Sequence, residues 1–321
     1  MIAKQFKTLD EQVEILKSKG MIIQDEKYAK EVLLRENYFF LNGYRHLFMK
    51  NSEDRYFKDG TTFEEMYSLF LFDRSYRNII FKYLLVIENN LKSITSYQLS
   101  KKYGYRERDY LKEANFTKDP MRKAQVNDLL KKMKRQIRVN GSQHSATLHY
   151  VSNYGYIPLW ILVKVLSFGI VSEMYQILKD EDQTDIAKIY GINAETLIVY
   201  LPILANYRNL CAHEDILYEN KTQKEINDTV YHKLLKVPMV ENEYQYGKND
   251  ILALLIILKQ MLNKEDFKNM TVELDNVIGT LNFNLHTIKI KDVLSRMGMP
   301  TNWKELATIE KGVDVEDESK E

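Results

Sequence analysis

The sequence predicts an all-α protein, and three observations carry that expectation. Apolar residues recur at spacings of three and four along most of the chain. Helix breakers are scarce, with 12 glycines and 5 prolines among 321 residues. Alternating runs of strand type are almost absent, the short segment HTIKIKDV (286–293) being the one candidate. A chain of this length buries a large core, in two domains or one lobed body.

Each element has a local reason. TLDEQVEILKSKG opens with Thr8 as a cap, carries Glu11 three residues later and stops at Gly20. DEKYAKEVLLRENYFFLNGY predicts a second helix running into an aromatic turn around Asn42 and Gly43. The longest helix starts at a capping-box pattern, Thr62 and Glu65, and ends at Gly104. Another is expected over about 119–138. IPLWILVKVLSFGIVSEMYQIL (157–178) is apolar nearly all round and predicts one central buried helix. Asn193 starts the helix containing NYRNLCAHED (206–215), and three or four amphipathic helices follow to about residue 297. The expected organisation is an N-terminal helical extension (1–60), a helical core (61–220), a C-terminal helical lobe (221–300) and an acidic, solvated tail (301–321).

The formal net charge of +1 conceals local asymmetry. Residues 101–138 carry 13 Lys/Arg against 5 Asp/Glu, an excess of +8, while residues 301–321 carry 3 against 7, a net of −4. The basic stretch offers Lys131, Lys132, Lys134, Arg135 and Arg138 as phosphate contacts, with nearby rings to stack on unpaired bases. The alternative is a solvated lysine-rich helix face. YFFLNGYRHLF (38–48) is a packed aromatic corner, or a place where Tyr44, Arg45 and His46 reach a ligand. The single cysteine, Cys211, excludes a disulfide framework and a cysteine-rich zinc site, and packing is the expected role for it. There is no phosphate-binding glycine loop, no serine-hydrolase elbow and no histidine spacing suited to a metal, so no cofactor and no metal are expected. The first residues lack the apolar run of a signal peptide, and no apolar stretch is long enough for a bilayer. A cytoplasmic protein without a membrane partner is the expectation.

NYRNLCAHED holds the main chemical signal. At 100° per residue, Leu197, Leu201, Leu204, Ala205 and Ala212 form one apolar stripe. Arg208 falls inside that stripe, while Asn206, Asn209 and His213 lie beside it. An unpaired buried guanidinium is costly, so an anion must meet it. That anion is either a carboxylate, such as Glu88 or Asp73, or a phosphate of RNA. The guanidinium fork matches phosphate oxygens, and a histidine titrating near neutrality can move a proton to or from a ribose hydroxyl. Together they suit metal-free RNA cleavage. A second Arg-to-His spacing, RVNGSQH (138–144), crosses a glycine turn and reads as coincidence. Asp73 and Arg74 are expected to form a structural ion pair.

YRNLCAHED resembles the motif of the HEPN superfamily: arginine, a polar residue (Asn209), then histidine at the expected distance. ENYFFLNGYRHLF (36–48), the 70–104 segment and IPLWILVKVLSFGIVSEMY (157–175) resemble the AbiD/AbiF-like abortive-infection proteins of bacteria, in the family's order. The resemblance covers most of residues 1–220. It implies a HEPN-like helical bundle, an RNase-type composite site, a role in phage defence and a structured non-coding RNA as partner. No preference for DNA is implied. Arg208 and His213 match the active pair, and Glu88 matches a recurring acidic position that can orient them. Where relatives often carry a second histidine, this chain has Glu214. HEPN sites commonly join two motifs across a twofold dimer, so a single motif implies a homodimer. A catalytically inactive RNA-binding protein, or an interaction module without RNA, stands as the alternative.

Overall fold

The computed structural model describes residues 5–51 and 55–311. Its helices are α1 (Leu9–Ser18), α2 (Glu26–Glu36), α3 (Tyr38–Asn42), α4 (Phe63–Tyr103), α5 (Glu107–Tyr110), α6 (Lys123–Asn140), α7 (Ser145–Tyr154) and α8 (Leu159–Val165). They continue as α9 (Phe168–Gln176), α10 (Asp180–Ala187), α11 (Ala194–Ala212), α12 (Val230–Leu234), α13 (Ile251–Met261), α14 (Lys264–Asn284) and α15 (Ile290–Arg296). Among the described residues the only ladder is a two-residue hairpin, Met239–Val240 against Glu243–Tyr244, with Met239 opposite Tyr244. Glu241 and Asn242 both take positive φ at its tip, the backbone a tight hairpin turn requires. The fold is all-α.

Helix α4 organises the rest. Its 41 residues contain neither glycine nor proline, and at 1.5 Å per residue it runs about 60 Å. Helices α8, α10, α11 and α14 pack along it. All eleven residues of α13 are buried. Each of its fully buried Leu and Ile side chains contributes roughly 1.5–3 kcal/mol relative to exposure. Buried apolar residues from Val13 to Leu306 form one connected cluster, joining the regions expected as extension, core and lobe. Among the described residues no single helix is long and apolar enough to cross a membrane.

The expected caps largely form. Thr8 and Glu11 make a reciprocal capping box. Asn193 accepts from the Thr196 amide at 2.7 Å to start α11. At α4 only half of the box exists: Thr62 Oγ1 accepts from Glu65 N at 3.1 Å, but the Glu65 carboxylate turns inward. It accepts the amides of His286 and Thr287, each at 2.8 Å, and of Ile288 at 3.3 Å.

That contact corrects the strand reading of 286–293. Its first amides serve a buried carboxylate, and the backbone is helical from Ile290 onward. The continuous helix expected over 157–178 is two, α8 and α9, broken at Leu166 where Ser167 caps the second by accepting from Ile170 N. The helix expected from about 119 starts regularly at Lys123, after a 3-10 turn over Pro120–Arg122. The second helix breaks at Asn37, whose φ of 66° ends α2 while its Oδ1 accepts from Phe39 N to open α3. Asparagine tolerates this left-handed region better than most residues. The acidic tail beyond Lys311 lies outside the described residues.

Candidate functional site

The motif helix α11 buries Leu197, Leu201, Leu204 and Ala205, as the stripe requires, while Ala212 in its last turn is exposed. The helix closes in a reciprocal C-terminal motif. The Asp215 amide donates to Leu210 O at 3.1 Å and the Glu214 amide to Cys211 O at 3.4 Å. Glu214 occupies the left-handed position, φ 57°, that glycine usually fills. His213 is therefore the capping residue rather than part of the helix, and its side chain is exposed.

The chain just beyond is fixed from below. Asp73 of α4 is fully buried and accepts the amides of Leu217 at 3.0 Å and Tyr218 at 2.8 Å. It also accepts the Tyr44 hydroxyl at 2.7 Å and Arg77 Nη1 at 2.6 Å. Burial pushes the Asp73 carboxyl above the ordinary carboxylate range, and the Arg77 charge with these donors pulls it back. Arg77 Nη1 additionally donates to Asp215 O at 3.2 Å. The expected Asp73–Arg74 pair is thus replaced. Asp73 pairs with Arg77 one turn on, and Arg74 makes a fork to both oxygens of Glu36 at 2.9 and 2.6 Å, with Glu214 at 3.3 Å.

Above this floor lies a cavity of about 1000 Å³ between the α2–α3 break and residues 212–216. His213, Arg35, Arg45 and His46 line it, with Phe39 and Phe40 on its rim. Those two rings are 73% and 54% exposed and meet edge to face at 6.0 Å. His46 Nδ1 lies 3.2 Å from Glu219, whereas Arg35 and Arg45 have no carboxylate within ion-pair distance among the described residues. Tyr44 is a correction. It was expected to reach a ligand, but its ring is 2% exposed, stacked on Tyr218 and held by Asp73, so it supports the cavity from within.

Arg208 points elsewhere. Its Nε donates to Glu88 Oε2 at 3.2 Å, and Lys92 Nζ donates to Glu88 Oε1 at 2.7 Å. The guanidinium is about one-third exposed, lies 5.8 Å from the centre of the Phe81 ring, and its two terminal amino groups make no protein hydrogen bond among the described residues. It is not part of the cavity lining. Five residues along a helix turn the side chain by about 140°, so one copy of α11 sends Arg208 and His213 in different directions. Asn209 is exposed beside them.

The basic stretch forms the outer face of α6. Val126, Leu129, Leu130 and Met133 are buried, while Lys131, Lys134, Arg135 and Arg138 are exposed without a carboxylate partner among the described residues. Lys132 departs from that set, paired with Asp128 at 2.9 Å and Glu173 at 2.7 Å. Rings flank it in sequence. Tyr150, Tyr154, Tyr156, Tyr105 and Trp160 form a chain of tilted ring contacts, with Arg106 over Tyr156. Met133 packs near Leu99 of α4 and the cavity near Arg74, about 40 Å apart along that helix.

Cys211 is buried and its thiol is pushed up to about 12 by burial, so it packs rather than reacts. Among the described residues no three His, Cys, Asp or Glu side chains are grouped to hold a metal ion. Sequence reasoning missed Phe39, Phe40 and Arg35 as cavity residues. The available signal was Asn37, a residue prone to left-handed backbone inside an apparent helix.

In comparison with known proteins, the family model for Abi-like proteins aligns with residues 31–219. That span holds the α2–α3 break, α4, α6 and the whole of α11 with His213. No curated protein and no solved structure matches.

Proposed function

The chain belongs to the Abi-like protein family, and from that premise we propose that it is a metal-independent endoribonuclease of HEPN type acting in abortive-infection defence, bound to a structured non-coding RNA. Membership of the family points to abortive infection; the nuclease chemistry and the RNA are the further step. The observation that carries this step is the exposed placement of His213 at the mouth of a large cavity, on a loop held by Asp73.

In the proposed reaction the ribose 2′-oxygen attacks the adjacent phosphorus and the 5′-oxygen leaves. The products are a 2′,3′-cyclic phosphate and a free 5′-hydroxyl. His213 takes the 2′-hydroxyl proton or delivers one to the leaving oxygen. Arg208, its terminal amino groups without a hydrogen-bond partner among the described residues and its Nε oriented by Glu88, stabilises charge on the phosphoryl oxygens. Since a single α11 turns the two side chains apart, the working site combines Arg208 and His213 from two copies in a twofold dimer. Asn209 flanks Arg208 on the exposed side.

RNA-free protein incubated with labelled RNA in EDTA should yield cyclic-phosphate ends. His213→Ala and Arg208→Ala should each lower cleavage by about a hundredfold or more. Because His213 is exposed, its removal should shift stability by no more than about 0.5 kcal/mol. A second reading, an RNA-binding protein without catalysis, is favoured by the Arg208–Glu88 pair, which already gives the guanidinium an anion. Intact RNA together with salt-sensitive binding would select it over the nuclease.

A further inference from the structure

The cavity has two chemically different sides. His213 and the carboxylates of Glu214 and Asp215 stand on one. On the other, Phe39 and Phe40 leave their side chains largely exposed at the break made by Asn37, and Arg45 also lines the cavity there, with only the Asn42 carbonyl, 3.4 Å away, as a hydrogen-bond partner among the described residues. Arg45 has no carboxylate within ion-pair distance among the described residues. A guanidinium without a carboxylate partner is a site for a phosphate oxygen. Exposed aromatic rings beside such a site suit an unpaired base, since every base offers a face to stack and a paired one does not. A cavity of about 1000 Å³ is ample for a nucleotide.

We infer that this side of the cavity is a subsite for one unpaired nucleotide of a single-stranded RNA segment, the base on Phe39 and Phe40 and the phosphate on Arg45. The inference deepens the RNA reading of the cavity and rests on it. The subsite chooses single-stranded over paired RNA and sets which phosphodiester lies opposite His213. Phe39 and Phe40 are binding residues here, with no part in proton transfer.

The test measures fluorescence anisotropy of a labelled oligouridylate, and of the same strand paired with oligoadenylate, on Phe39→Ala, Phe40→Ala and Arg45→Ala in a His213→Ala background that prevents scission. Phe39→Ala and Phe40→Ala should each weaken oligouridylate binding by about tenfold, the loss expected for one base–ring stack, and Arg45→Ala should weaken it by removing the phosphate contact. Duplex binding should be unchanged, and Phe40→Tyr should restore the affinity. Unchanged oligouridylate affinity in all three variants overturns the subsite, and it leaves the nuclease reading intact if the His213-bearing protein still cuts. Equal losses for strand and duplex overturn it too. So does dissociation of a dimer by the phenylalanine changes at constant RNA affinity, because the rings would then be a protein contact. Selective loss of single-strand binding supports the subsite even if the His213-bearing protein never cuts RNA.

Discussion

Glu65 and Asp73 lie eight residues apart on α4, both buried, and each accepts backbone amides from a chain segment far away in sequence. Glu65 takes those of 286–288 and Asp73 those of 217 and 218. Two carboxylates on one helix thus set the positions of the C-terminal region and of the loop after His213.

Removing Asp73 leaves Arg77, 2% exposed, as an uncompensated buried cation. Asp73→Ala should cost about 3–5 kcal/mol in urea unfolding. Asp73→Leu combined with Arg77→Met should recover much of that, because the pair is then replaced rather than broken. A double variant no more stable than Asp73→Ala would mean that the loop amides, not the charge pair, dominate.

Glu214 sits in left-handed backbone that costs an L-residue roughly 1 kcal/mol. Its contact with Arg74 is exposed and contributes little. Glu214→Gly is therefore expected to raise stability by about 0.5–1 kcal/mol, read from the urea midpoint. A lower midpoint would assign Glu214 an interaction stronger than its 3.3 Å contact with Arg74 suggests.

His232 supplies an acid-sensitive point. Its Nε2 donates to Gly247 O at 2.8 Å while Nδ1 accepts from the Thr229 amide at 3.1 Å, which requires the neutral ring. Burial pushes its pKa below the ordinary 6.5. The unfolded chain therefore binds a proton that the folded chain resists, so this contribution is intact above about pH 6.5 and is lost as the pH falls below it. Urea midpoints at about pH 7.5 and pH 5.5 should differ in the parent and differ less in His232→Asn. Parallel behaviour of the two proteins would place the acid sensitivity elsewhere.

The exposed cations of α6 should set much of the salt dependence of RNA binding. Replacing Lys131, Lys134, Arg135 and Arg138 with alanine should reduce the slope of log affinity against log salt by about 3 for a single strand, near 0.7 per phosphate contact. Lys132→Ala should change it little, since Asp128 and Glu173 already hold that ammonium. An unaltered slope in the fourfold variant would make the α6 face an ordinary solvated surface.

The sequence was most informative where structure is decided locally. The caps at Thr8, Thr62 and Asn193 and the buried stripe of α11 need only neighbouring residues, and they form. The partner of Asp73 was also legible in principle. Adjacent helical residues do not face each other while residues four apart do, which favours Arg77 over Arg74. Glu88 was one of two carboxylates named for Arg208, yet only the fold brings these residues together across 120 positions. The inward turn of Glu65 was illegible for the same reason: the amides that donate to it lie more than 220 residues on. Phe39 and Phe40 read as core because aromatic residues usually are, and their exposure follows from the single φ at Asn37.

The span of α4 has an electrostatic consequence. The α6 face and the His213 cavity are separated by about 40 Å along it, whereas the Debye length at physiological ionic strength is about 8 Å. Through solvent, neither charge cluster registers whether the other is occupied. Any communication between them must pass as strain along an unbroken rod without glycine or proline, or be carried by a polyanion long enough to bridge both ends.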